Sequence, residues 1–177
     1  GSTLLQRLLS LHESIETQAE PWLALPVFYA LKDHGVGSIY GHRASSAAVN
    51  GYVESLPGGR EDSYKCVNRF LNDLYDRASS DNAIYFIDKT PRYQLKIDDI
   101  LSTFPDAKII FLWRNPLAIA SSMIKTWGKN KWNLYMFYVD LYSGINSLVA
   151  AFNRHENKLS IKYENLVKSP EKEMKRV

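Results

Sequence analysis

Gly1-Ser2-Thr3 begins a stretch of helical periodicity, and a helix starting there leaves its first amide groups free beside two hydroxyls. Glycine lets the backbone come close, so together these donors have the chemistry of an anion site. A Gly-Ser-Thr helix start that holds nothing is equally ordinary. No Lys precedes the hydroxyl residue, as a nucleotide-kinase loop of the pattern GxxxxGKS/T requires. Arg114 follows the most apolar run of the chain directly, and a guanidinium in that place can fork onto phosphate oxygens. Ser122 comes eight residues later, about two turns into a following helix, where its hydroxyl can face the same anion. The plainer alternative is a surface Arg paired with a carboxylate and a Ser on a solvated helix face. Lys89 precedes the rigid Thr90-Pro91 and can hold a cation beside a transferring group, or be a solvated loop Lys. Glu20, just before Pro21, can take a proton from a hydroxyl. It can equally be the acidic residue of a helix start.

The elements that must position these residues follow from hydrophobic spacing. Leu4, Leu5, Leu8, Leu9 and Leu11 mark one face of a helix over Thr3 to Leu11, and a second helix is expected from Pro21 to Leu31. Gly35 to Gly59 holds six glycines and reads as a long mobile connection with room for a short helix. Tyr64, Val67, Phe70, Leu71 and Leu74 restore helical spacing over Glu61 to Ala78. Ala83 to Ile87 reads as a short strand ending in Asp88-Lys89-Thr90-Pro91, and Ile97, Ile100 and Leu101 mark the next helix. Lys108 to Trp113 is apolar without alternation, as expected of a parallel strand covered on both faces. A helix can start at Pro116, and Lys131 to Arg154 is expected to be the longest helix. Leu159, Ile161 and Tyr163 alternate as a last strand, with a final helix near Pro170.

Strands thus alternate with helices, which predicts an α/β fold with a mostly parallel sheet. Ligands of such sheets bind at the carboxyl ends of the strands. The clusters Lys89-Thr90-Pro91, Arg114-Asn115-Pro116 and Tyr163-Glu164-Asn165 all fall there.

Composition narrows the function classes. A length of 177 residues suggests one domain, and 45% hydrophobic with 23% charged residues excludes a disordered or collagen-like polymer. Lys and Arg number 22 against 19 Asp and Glu, a balance too even to indicate nucleic acid. Cys66 is the only cysteine, and the four histidines lack HxxxH or HxH spacing, so neither a disulfide framework nor a metal site is expected. Trp127, Trp132, Tyr135 and Phe137 read as core or pocket wall, and Lys168 to Arg176 as a solvated helix. No apolar run is long enough to span a membrane, and the opening residues do not form a removable signal peptide.

Taken together, the pieces GSTLLQRLLSLH, the AEPW around Glu20, DKTP, KIIFLWRNPLAIASSM and IKYENLVKSPEKEM resemble the sulfotransferases that use 3′-phosphoadenosine 5′-phosphosulfate (PAPS). The style is nearer to the bacterial carbohydrate-type and tyrosylprotein enzymes than to the cytosolic steroid and phenol enzymes. The resemblance implies a P-loop-type three-layer α/β fold, its mostly parallel sheet flanked by helices. It implies PAPS as donor, no metal, and a hydroxyl-bearing acceptor: a sugar, lipid, peptide or small molecule. Gly1, Ser2 and Thr3 match the loop that holds the 5′-phosphosulfate. Arg114 and Ser122 match the pair that grips the 3′-phosphate, and Tyr163 the Tyr of the YE-type motif near the nucleotide. Glu20 falls at the position of the general base in the tyrosylprotein enzymes. Lys89 resembles the Lys that stabilises charge on the bridging oxygen and sulfuryl group.

The family also carries a strand and a Pro-Arg-Ser-type stretch before the position of Gly1, and a late Gly/Arg/Lys segment. Both are missing, so residues 1–177 read as a single sulfotransferase domain truncated at both ends. A cytoplasmic location is expected from the low cysteine content, with a Golgi-type lumenal enzyme the alternative. Two other functions compete: a P-loop-type kinase for a small hydroxyl substrate, and a nucleotide-binding domain without catalysis.

Overall fold

In a computed structural model, which describes residues 1–177, the leucine-rich opening forms α1 (Ser2–Leu9), burying Leu5, Gln6 and Leu9. There follow β1 (Ile15–Thr17), α2 (Ala24–Tyr29), α3 (His42–Ser55), α4 (Arg60–Arg77), β2 (Tyr85–Ile87), a 3-10 turn (Tyr93–Lys96) and α5 (Ile97–Thr103). The second half runs through β3 (Ile109–Trp113), α6 (Pro116–Thr126), α7 (Gly144–Arg154), β4 (Lys158–Lys162), α8 (Tyr163–Lys168) and α9 (Pro170–Met174). No helix is long and apolar enough to cross a membrane.

The chain divides into two compact units, one made of Gly1–Ile15 with Asp106–Val177 and the other of Glu16–Pro105. In the first, β3 and β4 pair in parallel from Ile109 opposite Lys158 to Trp113 opposite Lys162. Phe111, Ala151, Ile161 and Leu166 are buried around this pair. Phe152 meets both Phe111 and Trp113 edge-on, at 5.2 and 5.6 Å between ring centroids. Such pairs add about 0.5–1.5 kcal/mol beyond the area they bury. The start of α6 is locally encoded: Asn115 Oδ1 accepts from the Leu117 and Ala118 amides, and Pro116 takes the first helical position.

The second unit is built on Ala24, Phe28, Leu71 and Ile100, with Tyr64, Val67, Tyr75, Tyr93 and Phe104 packed around them. Tyr75 of α4 stacks on Phe86 of β2 with centroids 4.5 Å apart. Thr17 ties β1 to β2 by donating to the Ile87 carbonyl.

The α/β class holds, with short strands between helices, but the strands pair as two separate two-stranded sheets, β1 with β2 and β3 with β4. Within β3 only Phe111 is buried and its neighbours are half-buried. The stretch expected as a mobile connection contains a helix of 14 residues, α3. Its apolar periodicity is weak because polar bonds do much of the attachment. Asn50 donates to the Leu31 carbonyl just beyond α2, and His42 Nε2 pairs with the Lys32 carbonyl. The expected long helix over 131–154 is broken into a 3-10 turn (Leu134–Phe137), a π-helical turn (Val139–Ser143) and α7. The last strand stops at Lys162, so Tyr163 is the first residue of α8 and not part of the strand.

Candidate functional site

Five of the candidate side chains and backbone groups lie in the first unit around the carboxyl ends of β3 and β4, or on the first turn of α1, and Ser122 lies on α6. The parallel register sets the geometry. With Trp113 opposite Lys162, the next residues, Arg114 and Tyr163, leave the sheet at the same end. The Arg114 guanidinium carbon sits 4.5 Å from the centroid of the Tyr163 ring. A cation over an aromatic face gains about 0.5–2 kcal/mol, more as water is removed. Arg114 Nε is buried and has no hydrogen-bond partner. A buried donor left unsatisfied costs about 1–3 kcal/mol, so this nitrogen is a standing demand for an acceptor.

Gly1 closes the same corner. A Cβ on this residue would stand 2.8 Å from Tyr163 Cδ2 and 3.5 Å from Leu112 Cδ2, so the backbone comes to the ring at a distance only glycine tolerates. The Gly1 carbonyl accepts the Leu5 amide, the first turn of α1. Ser2 and Thr3 occupy that turn and are exposed. The structure therefore brings Gly1, Arg114 and Tyr163 together, with Ser2 and Thr3 next to Gly1. Ser122 is half-buried in the middle of α6, the helix that begins two residues after Arg114. An orphaned guanidinium nitrogen beside a close glycine and the first turn of a helix fits a phosphate-bearing molecule.

Glu164 makes a contact that sequence reasoning missed. Its Oε1 accepts the Asn115 amide at 3.0 Å, linking the residue after Tyr163 to the residue after Arg114. That bond, more than any other influence, holds the Glu164 carboxyl below the usual carboxylate range. The adjacent clusters at two strand ends were the signal for it.

Glu20 and Lys89 lie in the second unit, and their side chains meet at 2.6 Å. The Lys89 side chain is 17% exposed and that of Glu20 41%, so the pair is reachable from solvent mainly on the carboxylate side. Beside it stands a network that the sequence did not reveal. Asp88 accepts from Tyr75, Tyr93 and Thr90, and Thr90 accepts from the Trp22 amide. Burial first, and the Asp88 carboxylate second, push both tyrosine hydroxyls well above their ordinary ionisation range. No cluster of three or more His, Cys, Asp or Glu side chains is arranged to hold a metal ion.

Comparison with known proteins matches the whole chain, residues 1–177, to the sulfotransferase family. The chain is also 30% identical, over 202 aligned residues, to the nodulation protein NoeE of Sinorhizobium fredii (strain NBRC 101917 / NGR234). The alignment takes in 100% of this chain and 46% of that relative, so the chain spans about half the relative's length. No solved structure matches it.

Proposed function

This chain belongs to the sulfotransferase family, and from that premise we propose that it moves a sulfuryl group from PAPS to the hydroxyl of an acceptor. The observation that carries the donor assignment is Arg114, stacked on Tyr163 with a buried Nε that no protein atom satisfies. Arg114 grips the 3′-phosphate, helped by the Ser122 hydroxyl, and Tyr163 holds the guanidinium plane in place. The amides and hydroxyls of Gly1, Ser2 and Thr3 hold the 5′-phosphosulfate. The donor supplies an activated sulfuryl group on a good leaving phosphate. Glu20 takes the acceptor's proton as the acceptor oxygen bonds to sulfur and the bond from sulfur to the phosphate oxygen breaks. Lys89 supplies positive charge to the transferring group and the departing oxygen. The 2.6 Å contact of Lys89 with Glu20 supports a shared task. Positioning and charge neutralisation are the main demands of such a transfer, as for phosphoryl groups. The same reading makes residues 1–177 part of one sulfotransferase domain of P-loop-type three-layer architecture.

Calorimetric titration with 3′,5′-adenosine bisphosphate and with ADP tests the donor assignment. The bisphosphate should bind more tightly than ADP, and Arg114→Ala should lower its affinity about tenfold or more, the value of a charge-assisted hydrogen bond. Equal binding of the two nucleotides, with ATP turnover, would replace this reading by a kinase. Binding without transfer of ³⁵S from labelled PAPS to any of a panel of sugar, phenol and peptide hydroxyls would leave a nucleotide-binding domain.

A further inference from the structure

Glu20 and Trp22 both have positive φ, 40° and 57°, on either side of Pro21. Neither residue favours that region, and a residue before proline normally adopts extended backbone. A conformation of this kind persists only where its surroundings impose it. The surroundings here include a relay of hydrogen bonds. The Trp22 amide donates to Thr90 Oγ1 at 3.1 Å, and the Thr90 hydroxyl donates to Asp88 Oδ1 at 2.9 Å. Asp88 Oδ2 accepts Tyr75 at 2.6 Å and Tyr93 at 2.5 Å. Thr90 is 6% exposed, so little water can replace these partners. Tyr75 is anchored by its stack on Phe86, and Tyr93 packs on the core of the unit. The relay therefore ties the positive-φ backbone at Trp22 to rigid structure, and both of its sequence anchors flank the ion pair. Asp88 and Thr90 enclose Lys89, and Trp22 lies two residues beyond Glu20.

We propose that Asp88 and Thr90 are positioning residues: through the Trp22 amide they set the Glu20-Pro21-Trp22 backbone, with its two positive φ angles, and so hold the Glu20 carboxylate on Lys89. The kinetic part of this inference rests on the sulfuryl-transfer reading above; the structural part does not. Asp88 touches neither partner of the reaction in this scheme. It acts by holding a base and a cation in register, where a displacement of about 1 Å can cost a hundredfold in rate.

The test compares Thr90→Val, which keeps shape and loses the hydroxyl, with Thr90→Ser, which keeps the hydroxyl, and with Asp88→Asn. Amide hydrogen exchange at Trp22 reports the turn without any substrate. It should quicken in Thr90→Val and Asp88→Asn and stay near the parent value in Thr90→Ser. With ³⁵S-PAPS and the best acceptor of a hydroxyl panel, kcat should fall about ten- to a hundredfold in Thr90→Val. Thr90→Ser should recover most of that loss, and KM for PAPS should hold in every variant. Unchanged Trp22 exchange in a folded Thr90→Val overturns the proposal, as does an equal loss of kcat in the Val and Ser variants. If Thr90→Val does not fold, Asp88→Asn decides by the same two readouts. If the parent protein transfers no sulfuryl group, the functional reading fails, and Trp22 exchange alone still decides whether the relay sets the turn.

Discussion

The two units treat their central cations in opposite ways. In the first, Arg114 rests on an aromatic face, and one of its nitrogens is buried without an acceptor. In the second, Lys89 is already matched by Glu20 at 2.6 Å, beside a carboxylate network in which each donor finds a partner. An unsatisfied buried donor gains most when a ligand brings an acceptor, so the first arrangement suits binding. A matched acid and base gain little from a passing ion. They keep a fixed geometry and opposite charges side by side, which suits proton and charge movement during a reaction. The difference teaches that a binding cation and a catalytic cation can be told apart by what the folded protein leaves undone.

Three experiments break or sharpen this contrast. The largest effect is expected from Glu20→Gln, which keeps size and removes the proton acceptor. The rate of ³⁵S transfer should fall about 10²- to 10⁴-fold, while calorimetric affinity for 3′,5′-adenosine bisphosphate stays unchanged. A parallel loss of binding would erase the distinction between the units. Arg114→Lys comes next. It preserves charge but loses the planar fork and the stack on Tyr163. Affinity for the bisphosphate should drop about tenfold, and a Lys variant that binds as well as the parent would show that charge alone suffices.

The smallest effect lies in the pH dependence of stability. The depressed Glu164 carboxyl contributes stability that is present above the usual carboxylate range and lost as pH falls through it. Tyr75 and Tyr93 are shifted upward, so their contribution is present at neutral pH. It is lost as pH rises past about 10, where the unfolded chain's tyrosines ionise. Thermal melts across pH should show Glu164→Gln flattening only the acid limb and Tyr75→Phe with Tyr93→Phe only the alkaline limb. Both limbs responding to either change would mean that the units do not hold separate electrostatic anchors.

Much of this was legible in the sequence where the code is local. The spacing of leucines located α1, and Asn115-Pro116 announced the start of α6 because cap and first-turn preferences act over a few residues. Lys108 to Trp113 stood out as a strand, and β3 follows it within a residue. The meeting of Gly1, Arg114 and Tyr163 was suggested by family likeness, and the register of β3 and β4 supplies the physical cause. Long-range polar bonds were what the sequence hid. α3 is held by Asn50 and His42 reaching back to carbonyls just beyond α2, so apolar periodicity could not find it. The partners of Asp88 lie 13 residues before it, at Tyr75, and 5 after it, at Tyr93, a pattern without a motif. The stretch 131–154 had helical spacing, but periodicity does not distinguish a continuous α-helix from 3-10 and π turns laid end to end.

The parallel pairing of β3 with β4 also makes parity matter along the chain. Side chains on a strand alternate between faces, so an added or deleted residue inside β4 turns everything after it to the opposite side. Tyr163 comes one position after the last paired residue, Lys162, and its place beneath Arg114 depends on that count. Lengthening the turn before Lys158 leaves the count intact. Among natural variants of this chain, length changes are therefore tolerable in the short connection between Arg154 and Lys158, whereas between Lys158 and Tyr163 even a single residue gained would move the ring out from under the guanidinium.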